Sequence, residues 1–297
     1  MHQDMQERGL ALYWNDKTCA VGGDEYNGLI ESACFQRGKL SCLSCHSMHR
    51  SDPNDQLGDR MATNEACLQC HESLRGQLKE HTHHSANSSG SLCYNCHMPH
   101  TTYALLKAIR SHRVDIPSVA QSVRDRRPNA CNLCHLDQTL QWTANALERW
   151  YGQAPVSLSG DEQLTAAGLL WLLKGNAMER VITAWHMSWE PATAVSGTDW
   201  EAPFLAELLT DSYSAVRFVA YRSLRKLPGF ERLPYDFVGP EPQRTAAQKH
   251  VREFWSSQPP SDVIRPQLLL TTPRQTDQEQ VQRLKEARDD SPIRLPE

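Results

Sequence analysis

The chain contains the pattern Cys-x-x-Cys-His at four places, namely Cys42–His46, Cys67–His71, Cys93–His97 and Cys131–His135. Two thiols separated by two residues can add to the two vinyl groups of one porphyrin, and the histidine that follows can then bind the iron. The pattern therefore predicts four attachment sites for haem c. The cysteines that would form the covalent links are Cys42, Cys45, Cys67, Cys70, Cys93, Cys96, Cys131 and Cys134. The proximal iron ligands would be His46, His71, His97 and His135.

Zinc is the main alternative for paired Cys-x-x-Cys motifs. The first two pairs, Cys42/Cys45 and Cys67/Cys70, have a separation close to that of a zinc ribbon. Zinc does not require a histidine directly after the second cysteine, yet all four motifs have one. Disulfides would leave these four histidines unexplained. The repeated histidine therefore favours haem over zinc.

A second histidine ligand for each iron must come from outside the four motifs. Seven further histidines lie in the N-terminal half: His2, His49, His81, His83, His84, His100 and His112. His49 and His100 each stand three residues after a proximal histidine, so they reach an adjacent haem more easily than their own. We predict that His49, His100, His112 and one histidine of the 81–84 cluster bind iron. Within that cluster His81, His83 and His84 are all candidates, of which we select His83 and His84, and solvent exposure is the alternative for every candidate.

Two methionines near the motifs are alternative iron ligands. Met48 and Met98 each lie close to a proximal histidine, and methionine ligation would raise the reduction potential. The neighbouring His49 and His100 compete for the same role. We expect the methionines to pack against porphyrin edges instead.

Composition separates the motif-bearing segment from the rest of the chain. Residues 41–135 are poor in Leu, Ile, Val and Phe and rich in Ser, Asn, His and Cys. Such a segment buries too little apolar surface to order itself, so we expect the porphyrins to form its core. The formal net charge of −4 argues against nucleic acid as a partner.

The sequence predicts a mainly α-helical protein. A haem-organised region with little regular structure should occupy residues 1–152, followed by a helical domain at 153–255 and an extended tail at 256–297. The tail has a possible terminal helix at 277–287. A short β-hairpin is expected where residues 10–14 and 18–21 flank a turn. Cys19 and Cys34 lie outside the motifs, and an oxidising compartment permits either a disulfide between them or two thiols.

The helical domain contains a weak internal repeat. Four apolar residues recur 36 positions later: Leu169, Leu172, Leu173 and Ala184 correspond to Leu205, Leu208, Leu209 and Ala220. This spacing indicates two HEAT-like helix pairs, which bury their faces by stacking on neighbours. An ordinary helical bundle is the alternative.

The expected location is inferred from the cofactor. Attachment of haem c normally takes place outside the bacterial cytoplasmic membrane, which predicts a periplasmic or cell-surface protein. A secretory leader is not recognisable in the first ten residues, so we expect the leader to be missing from the given chain. No apolar run is long enough to span a bilayer.

Several stretches resemble bacterial multihaem c-type cytochromes. Two motifs continue as Cys-His-x-x-His, within Cys42–His49 and Tyr94–His100, and Pro128–His135 adds a third similar stretch. More narrowly, residues 24–152 are similar to the doubled-CxxCH group related to the tetrahaem cytochrome of nitrifying bacteria. Members of that group often carry a helical-repeat extension. The resemblance implies electron transfer, mostly bis-histidine haems and closely spaced porphyrins.

The expected function is electron transfer between redox proteins, one donor and one acceptor, with a multihaem or membrane-associated complex as a further possible partner. The alternative is a multihaem oxidoreductase that acts on a small nitrogen or sulfur compound at one open haem. Such an enzyme needs acid–base groups beside a vacant iron position. The C-terminal half shows no catalytic motif. The histidines exceed the number needed, and no Cys-x-x-Cys motif is followed by lysine in place of histidine. These last two features favour the electron carrier.

Overall fold

The computed structural model describes residues 12–21, 25–49, 56–260, 265–291 and 293. Within them the protein is mainly α-helical with a few short strands, which confirms the predicted fold class. The chain divides into two compact units. Unit 1 comprises Met1–Gly22, Thr101–Ile109 and Ser118–Glu297, and unit 2 comprises Gly23–His100 and Arg110–Pro117.

This division differs from the predicted domain order. The first three motifs belong to unit 2, whereas the fourth belongs to unit 1 together with the C-terminal helices. Both units are discontinuous in sequence because the segment Thr101–Ile109 belongs to unit 1. The domain boundaries at residues 152 and 255 stay a prediction.

Unit 2 consists of short elements. Its helices are α1 (Glu25–Glu31), α2 (Ala33–Gln36), α3 (Glu65–Leu68), α4 (Leu78–Thr82) and α5 (Cys93–His97), with 3-10 turns at Cys42–Ser44, Glu72–Leu74 and Ser89–Ser91. Strands β1 (His100–Tyr103) and β2 (Lys107–Arg110) form a two-stranded sheet, of which His100 and Arg110 belong to unit 2 and residues 101–109 to unit 1. Helix α4 ends at His83, whose backbone is left-handed with φ of 56°. This conformation turns the chain sharply, because a helix cannot continue through it.

Few apolar side chains are buried in unit 2. Among its described residues, Leu29 and Leu68 are the buried hydrophobic ones. Leu43, in the first motif, and Met48, just after it, are 75% and 69% exposed. This composition agrees with the expectation that the motif-bearing segment has little core of its own.

Unit 1 contains longer helices around a continuous apolar core. They are α6 (Val119–Asp125), α7 (Leu140–Tyr151), α8 (Gly160–Leu164), α9 (Ala167–Leu173), α10 (Ala177–His186), α11 (Glu190–Ser196), α12 (Glu201–Glu207), α13 (Ser214–Leu224), α14 (Glu241–Ser257) and α15 (Gln278–Glu286). Two 3-10 turns, Leu208–Thr210 and Pro266–Leu268, and the hairpin of β3 (Leu270–Thr272) and β4 (Gln275–Thr276) complete it. None of the described helices has the length and apolarity needed to cross a membrane.

The helix ends follow their capping residues. Helix α7 begins after Thr139, whose hydroxyl accepts a hydrogen bond from the N–H of Trp142, and ends at Gly152 with φ of 64°. Helix α10 begins with a capping box in which Asn176 and Glu179 satisfy each other's backbone N–H groups. These local signals fix where the helices of unit 1 start and stop.

The 36-residue spacing coincides with two helix pairs. Helices α9 and α10 carry the first set of apolar residues, and α12, the following 3-10 turn and α13 carry the second. All eight residues are fully buried: Leu169, Leu172, Leu173, Ala184, Leu205, Leu208, Leu209 and Ala220. The periodicity therefore marks the residues that form the core, whichever repeat class the helices belong to.

The N-terminal hairpin is present in its described part. Tyr13 and Cys19 form an antiparallel bridge around the turn, and the N–H of Ala20 donates to the carbonyl of Leu12. Residues 10 and 11 of the predicted hairpin lie outside the described residues. All ten cysteines are described, and the structure has no disulfide between Cys19 and Cys34.

A buried ion pair lies between the repeated helix pairs of unit 1. Arg180 on α10 and Asp211 after α12 have fully buried side chains, and Arg180 Nε lies 2.8 Å from Asp211 Oδ2. Arg288 contacts the same carboxylate at 3.0 Å, and its side chain is also largely buried. Removing the negative charge would leave two buried guanidinium groups without their main partner.

We therefore expect Asp211→Asn to lower the free energy of unfolding of unit 1 by about 3 kcal/mol or more. Chemical denaturation of the full chain, followed by far-ultraviolet circular dichroism, measures this change. Lys249→Ala is the matched control, because Lys249 and Glu253 form an exposed pair that contributes less than about 1 kcal/mol. Equal stability of Asp211→Asn and the control would show that the buried pair is not needed.

Candidate haem-binding site

The four motifs share one backbone turn. In the first, second and fourth motifs the histidine N–H donates to the carbonyl of the first cysteine, at 2.8, 2.9 and 2.8 Å. The third motif is the short helix α5. This turn places the first cysteine and the histidine on the same side of the backbone, one helical turn apart. Each motif thus presents a sulfur and an imidazole toward one face, as attachment and iron ligation by a single porphyrin require.

The first motif is held by a neighbouring strand-like segment. His46 and Leu57 form an antiparallel bridge, and the N–H of Gly58 donates to the carbonyl of Cys45 at 2.8 Å. Nδ1 of His46 lies 3.2 Å from the carbonyl oxygen of Gln56. A carbonyl oxygen only accepts, so Nδ1 carries the proton and Nε2 keeps its lone pair. That tautomer is the one a metal ligand needs.

The fourth motif is embedded in an apolar cluster of unit 1. Leu133, between its cysteines, is 2% exposed and packs with residues of α7, α9 and α10. The side chain of Asn132 is buried and accepts a hydrogen bond of 2.6 Å from the hydroxyl of Thr143. The ring of His135 lies 4.9 Å from that of Trp142, at 45°. Ordinary packing thus positions this motif.

Side-chain amides connect the three motifs of unit 2. Gln69 in the second motif donates to the carbonyl of Ser44 in the first at 3.0 Å. Asn64, just before α3, accepts from the N–H of Cys93 at 2.9 Å and donates to the carbonyl of Ser91 at 2.8 Å. These bonds place the second motif between the first and the third.

The first cysteines of the second and third motifs lie next to each other. A hydrogen bond joins the thiols of Cys67 and Cys93. It raises the pKa of Cys67, to which burial also contributes, and lowers the pKa of Cys93 to about 7. The second and third motifs therefore have one haem-attaching thiol each, Cys67 and Cys93, at adjacent positions.

Two proximal histidines face a second histidine ring. The rings of His46 and His112 have centroids 6.2 Å apart and planes inclined by 22°. Those of His97 and His81 have centroids 6.1 Å apart and planes inclined by 14°. Two imidazoles that share one metal ion, with metal–nitrogen bonds of about 2 Å, have centroids about 6 Å apart. Both pairs therefore fit haem iron bound between two histidines.

Hydrogen bonds also orient His97 and His112. Nδ1 of His97 donates to the carbonyl of Asp115 at 2.7 Å, and Nδ1 of His112 donates to that of Arg110 at 3.1 Å. Burial lowers the pKa of His112 and that of His81, where His97 adds to the effect. Both shifts favour the neutral imidazole, which is the form that binds metal.

The other predicted ligands occupy varied positions. His49 is exposed in a turn, His83 is exposed at the end of α4, and His100 begins β1. The Nδ1 atom of His84 donates to the carbonyl of Thr82 at 2.6 Å. Of the 81–84 cluster, the sequence favoured His83 and His84, whereas the ring that faces a proximal histidine is that of His81. Among the described residues no three His, Cys, Asp or Glu side chains form a site for a bare metal ion.

Five arginines lie between the third and fourth motifs, at positions 110, 113, 124, 126 and 127, and each forms a hydrogen bond or an ion pair with another residue. Arg110 donates to the carbonyls of Tyr94 and Met98 at 3.3 Å and to the side chain of Asn95, so it holds the C-terminal end of α5. The other arginines pair with carboxylates: Arg113 with Glu31, Arg124 with Asp125, Arg126 with Asp289, and Arg127 with Asp16. Each of these four arginines therefore pairs with a carboxylate of its own unit.

Residues 33–76 match the family described as the doubled CXXCH motif. This segment contains the first two motifs. No curated protein and no solved structure matches the chain. The match supports a protein of the multihaem c-type cytochrome class and indicates covalently bound haem c. It also supports a role in haem binding and electron transfer.

Asn64 provides a test of the link between the second and third motifs. We expect Asn64→Ala to cost about 1 kcal/mol locally, because the N–H of Cys93 and the carbonyl of Ser91 lose their partner. Amide hydrogen exchange across residues 89–97 should accelerate about fivefold. Asn145→Ala, on the exposed face of α7, is the control. Unchanged exchange in Asn64→Ala would contradict the link.

Proposed function

We propose that the chain is a tetrahaem c-type cytochrome that carries electrons between a donor and an acceptor protein. The observation that carries this proposal is the common turn of the four motifs, which presents a cysteine and a histidine together each time. The family match of the first two motifs supports haem at those sites. The repeated turn extends the same reasoning to the third and fourth.

The residues around the motifs suit electron transfer better than substrate chemistry. When bound, haem supplies a one-electron iron couple whose potential depends on its axial ligands. The ring pairs His46/His112 and His97/His81 give two motifs a second imidazole. An iron held by imidazole on both sides would have no open position, and its ligands would change little on reduction. The carbonyl groups that orient the imidazoles keep their geometry fixed.

The spacing of the motifs supports transfer within unit 2. The adjacent thiols of Cys67 and Cys93 bring the attachment edges of the second and third motifs together. Gln69 ties the second motif to the first. Electrons can therefore pass between neighbouring groups without large movements of the chain.

The location, the partners and the wider relationships follow from this function. A c-type cytochrome of this kind belongs in the periplasm or at the cell surface of a bacterium, where redox proteins or a membrane-associated complex donate and accept electrons. The helix pairs α9/α10 and α12/α13 are HEAT-like repeats in this proposal, supported by their 36-residue spacing. The relationship to the tetrahaem group of nitrifying bacteria is supported by the residues that resemble it.

The haem count tests the proposal. We expect four haems per chain in the pyridine haemochrome assay, and one fewer in the double variant Cys67→Ala/Cys70→Ala, because both thioether links at that motif are removed. Cys19→Ser alters a cysteine outside the motifs and should keep the full count. A full count in the double variant, or a colourless wild-type chain, would contradict covalent attachment at the motifs.

Carbon monoxide separates the carrier from the alternative enzyme. Carbon monoxide binds reduced haem iron that has an open or labile position. We expect the reduced wild-type chain to show no carbon monoxide spectrum. Stoichiometric binding at one haem, together with turnover of a small nitrogen or sulfur compound, would favour the multihaem oxidoreductase instead.

A further inference from the structure

We propose that His112 is the second axial ligand of the iron bound by His46, and that His81 is the second axial ligand of the iron bound by His97. This assignment rests on the proposed haem-binding function and gives the ligand pairs of two of its sites. It selects His81 from a cluster in which three histidines occupy four consecutive positions, 81–84.

Ring geometry is the first argument. Both pairs have centroid separations of 6.1 to 6.2 Å. An imidazole binds metal through Nε2 in the plane of its ring, and two such rings on opposite sides of one metal ion have centroids about 6 Å apart, which both separations match. Both pairs also have nearly parallel planes, at 22° and 14°. Two independent pairs with the same geometry point to a common cause.

Hydrogen bonding is the second argument. His46, His97 and His112 each use Nδ1 to donate to a backbone carbonyl. This arrangement fixes the ring and leaves Nε2 for a metal, as is typical of metal-binding histidines. The carbonyls of Gln56 and Asp115 lie 10 and 18 positions along the chain from the histidines they orient, whereas the carbonyl of Arg110 lies two positions from His112.

The segment that carries His112 is held closely against α1. The N–H of Val114 donates to the hydroxyl of Ser32 at 2.9 Å, and Arg113 pairs with Glu31 at 3.3 Å. A Cβ atom at Gly28 would lie 2.8 Å from the backbone nitrogen of Arg113. Glycine is therefore needed at position 28 for this approach. The contact fixes where His112 points.

The same segment also supports the other pair. The carbonyl of Asp115 accepts from Nδ1 of His97, and the N–H of Asp115 donates to the carbonyl of His97 at 2.9 Å. Asp115, whose carbonyl orients His97, therefore lies three positions after His112, the proposed ligand of the other iron. Residues 112–115 act on both sites.

Position within the cluster distinguishes His81 from its neighbours. His81 lies within α4, so the helical backbone sets the direction of its side chain. His83 is the exposed residue with a left-handed backbone at the end of that helix. The ring of His84 packs over Gly90, where a Cβ atom would lie 2.3 Å from its Cδ2. The three side chains thus point to different surroundings despite their closeness in sequence.

The test compares His81→Ala with His83→Asn in the haem-loaded full chain. Asparagine tolerates the left-handed conformation at position 83 and so makes a matched control. We expect His81→Ala to convert one haem per chain from low to high spin in the electron paramagnetic resonance spectrum. The reduced variant should bind one additional carbon monoxide. Added imidazole should restore the low-spin signal, which a purely structural defect would not allow.

His112→Ala should convert one haem in the same way, whereas His49→Ala should convert none. In His81→Met the haem should stay low spin with a raised reduction potential, because methionine can replace histidine as a ligand. His81→Met keeps a ligand for the iron, so it tests the assignment even if alanine prevents the attachment of haem. Low-spin spectra in both His81→Ala and His112→Ala, or conversion by His83→Asn or His49→Ala instead, would overturn the assignment.

These outcomes are distinct from failure of the proposed function. If the wild-type chain carries no haem, the function itself is wrong. If the chain carries low-spin haem that the four alanine and asparagine variants leave unchanged, haem binding holds and the ligand pairs are wrong.

Discussion

The first three motifs lie in a unit with almost no apolar interior. Only Leu29 and Leu68 are buried hydrophobic side chains among the described residues of unit 2. Burial of apolar surface supplies most of the free energy of folding, about 25 cal/mol per Å². Two leucines cannot offset the conformational entropy of such a segment. In the proposed cytochrome, porphyrins attached through the cysteines would supply the missing apolar surface.

The remaining features of unit 2 follow from this constraint. Its helices are short because no continuous apolar face supports longer ones. Polar side chains such as Asn64, Gln69 and Arg110 bond to backbone groups of the motifs, so the peptide around each attachment site is held in place. In unit 1 the fourth motif rests on helices that have their own core. The motifs are therefore held in two ways, by polar side chains in unit 2 and by an apolar core in unit 1.

The sequence revealed features that depend on near neighbours along the chain. Each motif is five residues long, and in the first, second and fourth motifs a hydrogen bond between the first and last residues closes the turn. The 36-residue spacing identified eight core positions because apolar residues recur on the buried faces of the two helix pairs. The family match at the first two motifs supports the multihaem c-type cytochrome class.

Features that depend on contacts between distant residues were not accessible. The ring of His112 lies beside that of His46 although the two residues are 66 positions apart in sequence. No local sequence pattern indicates this contact. The side chains of His81 and His83 have different surroundings because α4 ends between them. The left-handed backbone at His83 changes the direction of the chain that follows. The discontinuous units likewise arise because the segment Thr101–Ile109 leaves unit 2, which composition does not show.

Hydrogen exchange with and without haem tests the central claim most directly. The full chain would be purified in haem-loaded form and again after production without haem attachment. The account predicts slow exchange across residues 56–100 in the loaded chain and fast exchange there without haem, while α9 to α13 stay protected in both. Slow exchange across residues 56–100 in the haem-free chain would show that this segment folds on its own and contradict the account.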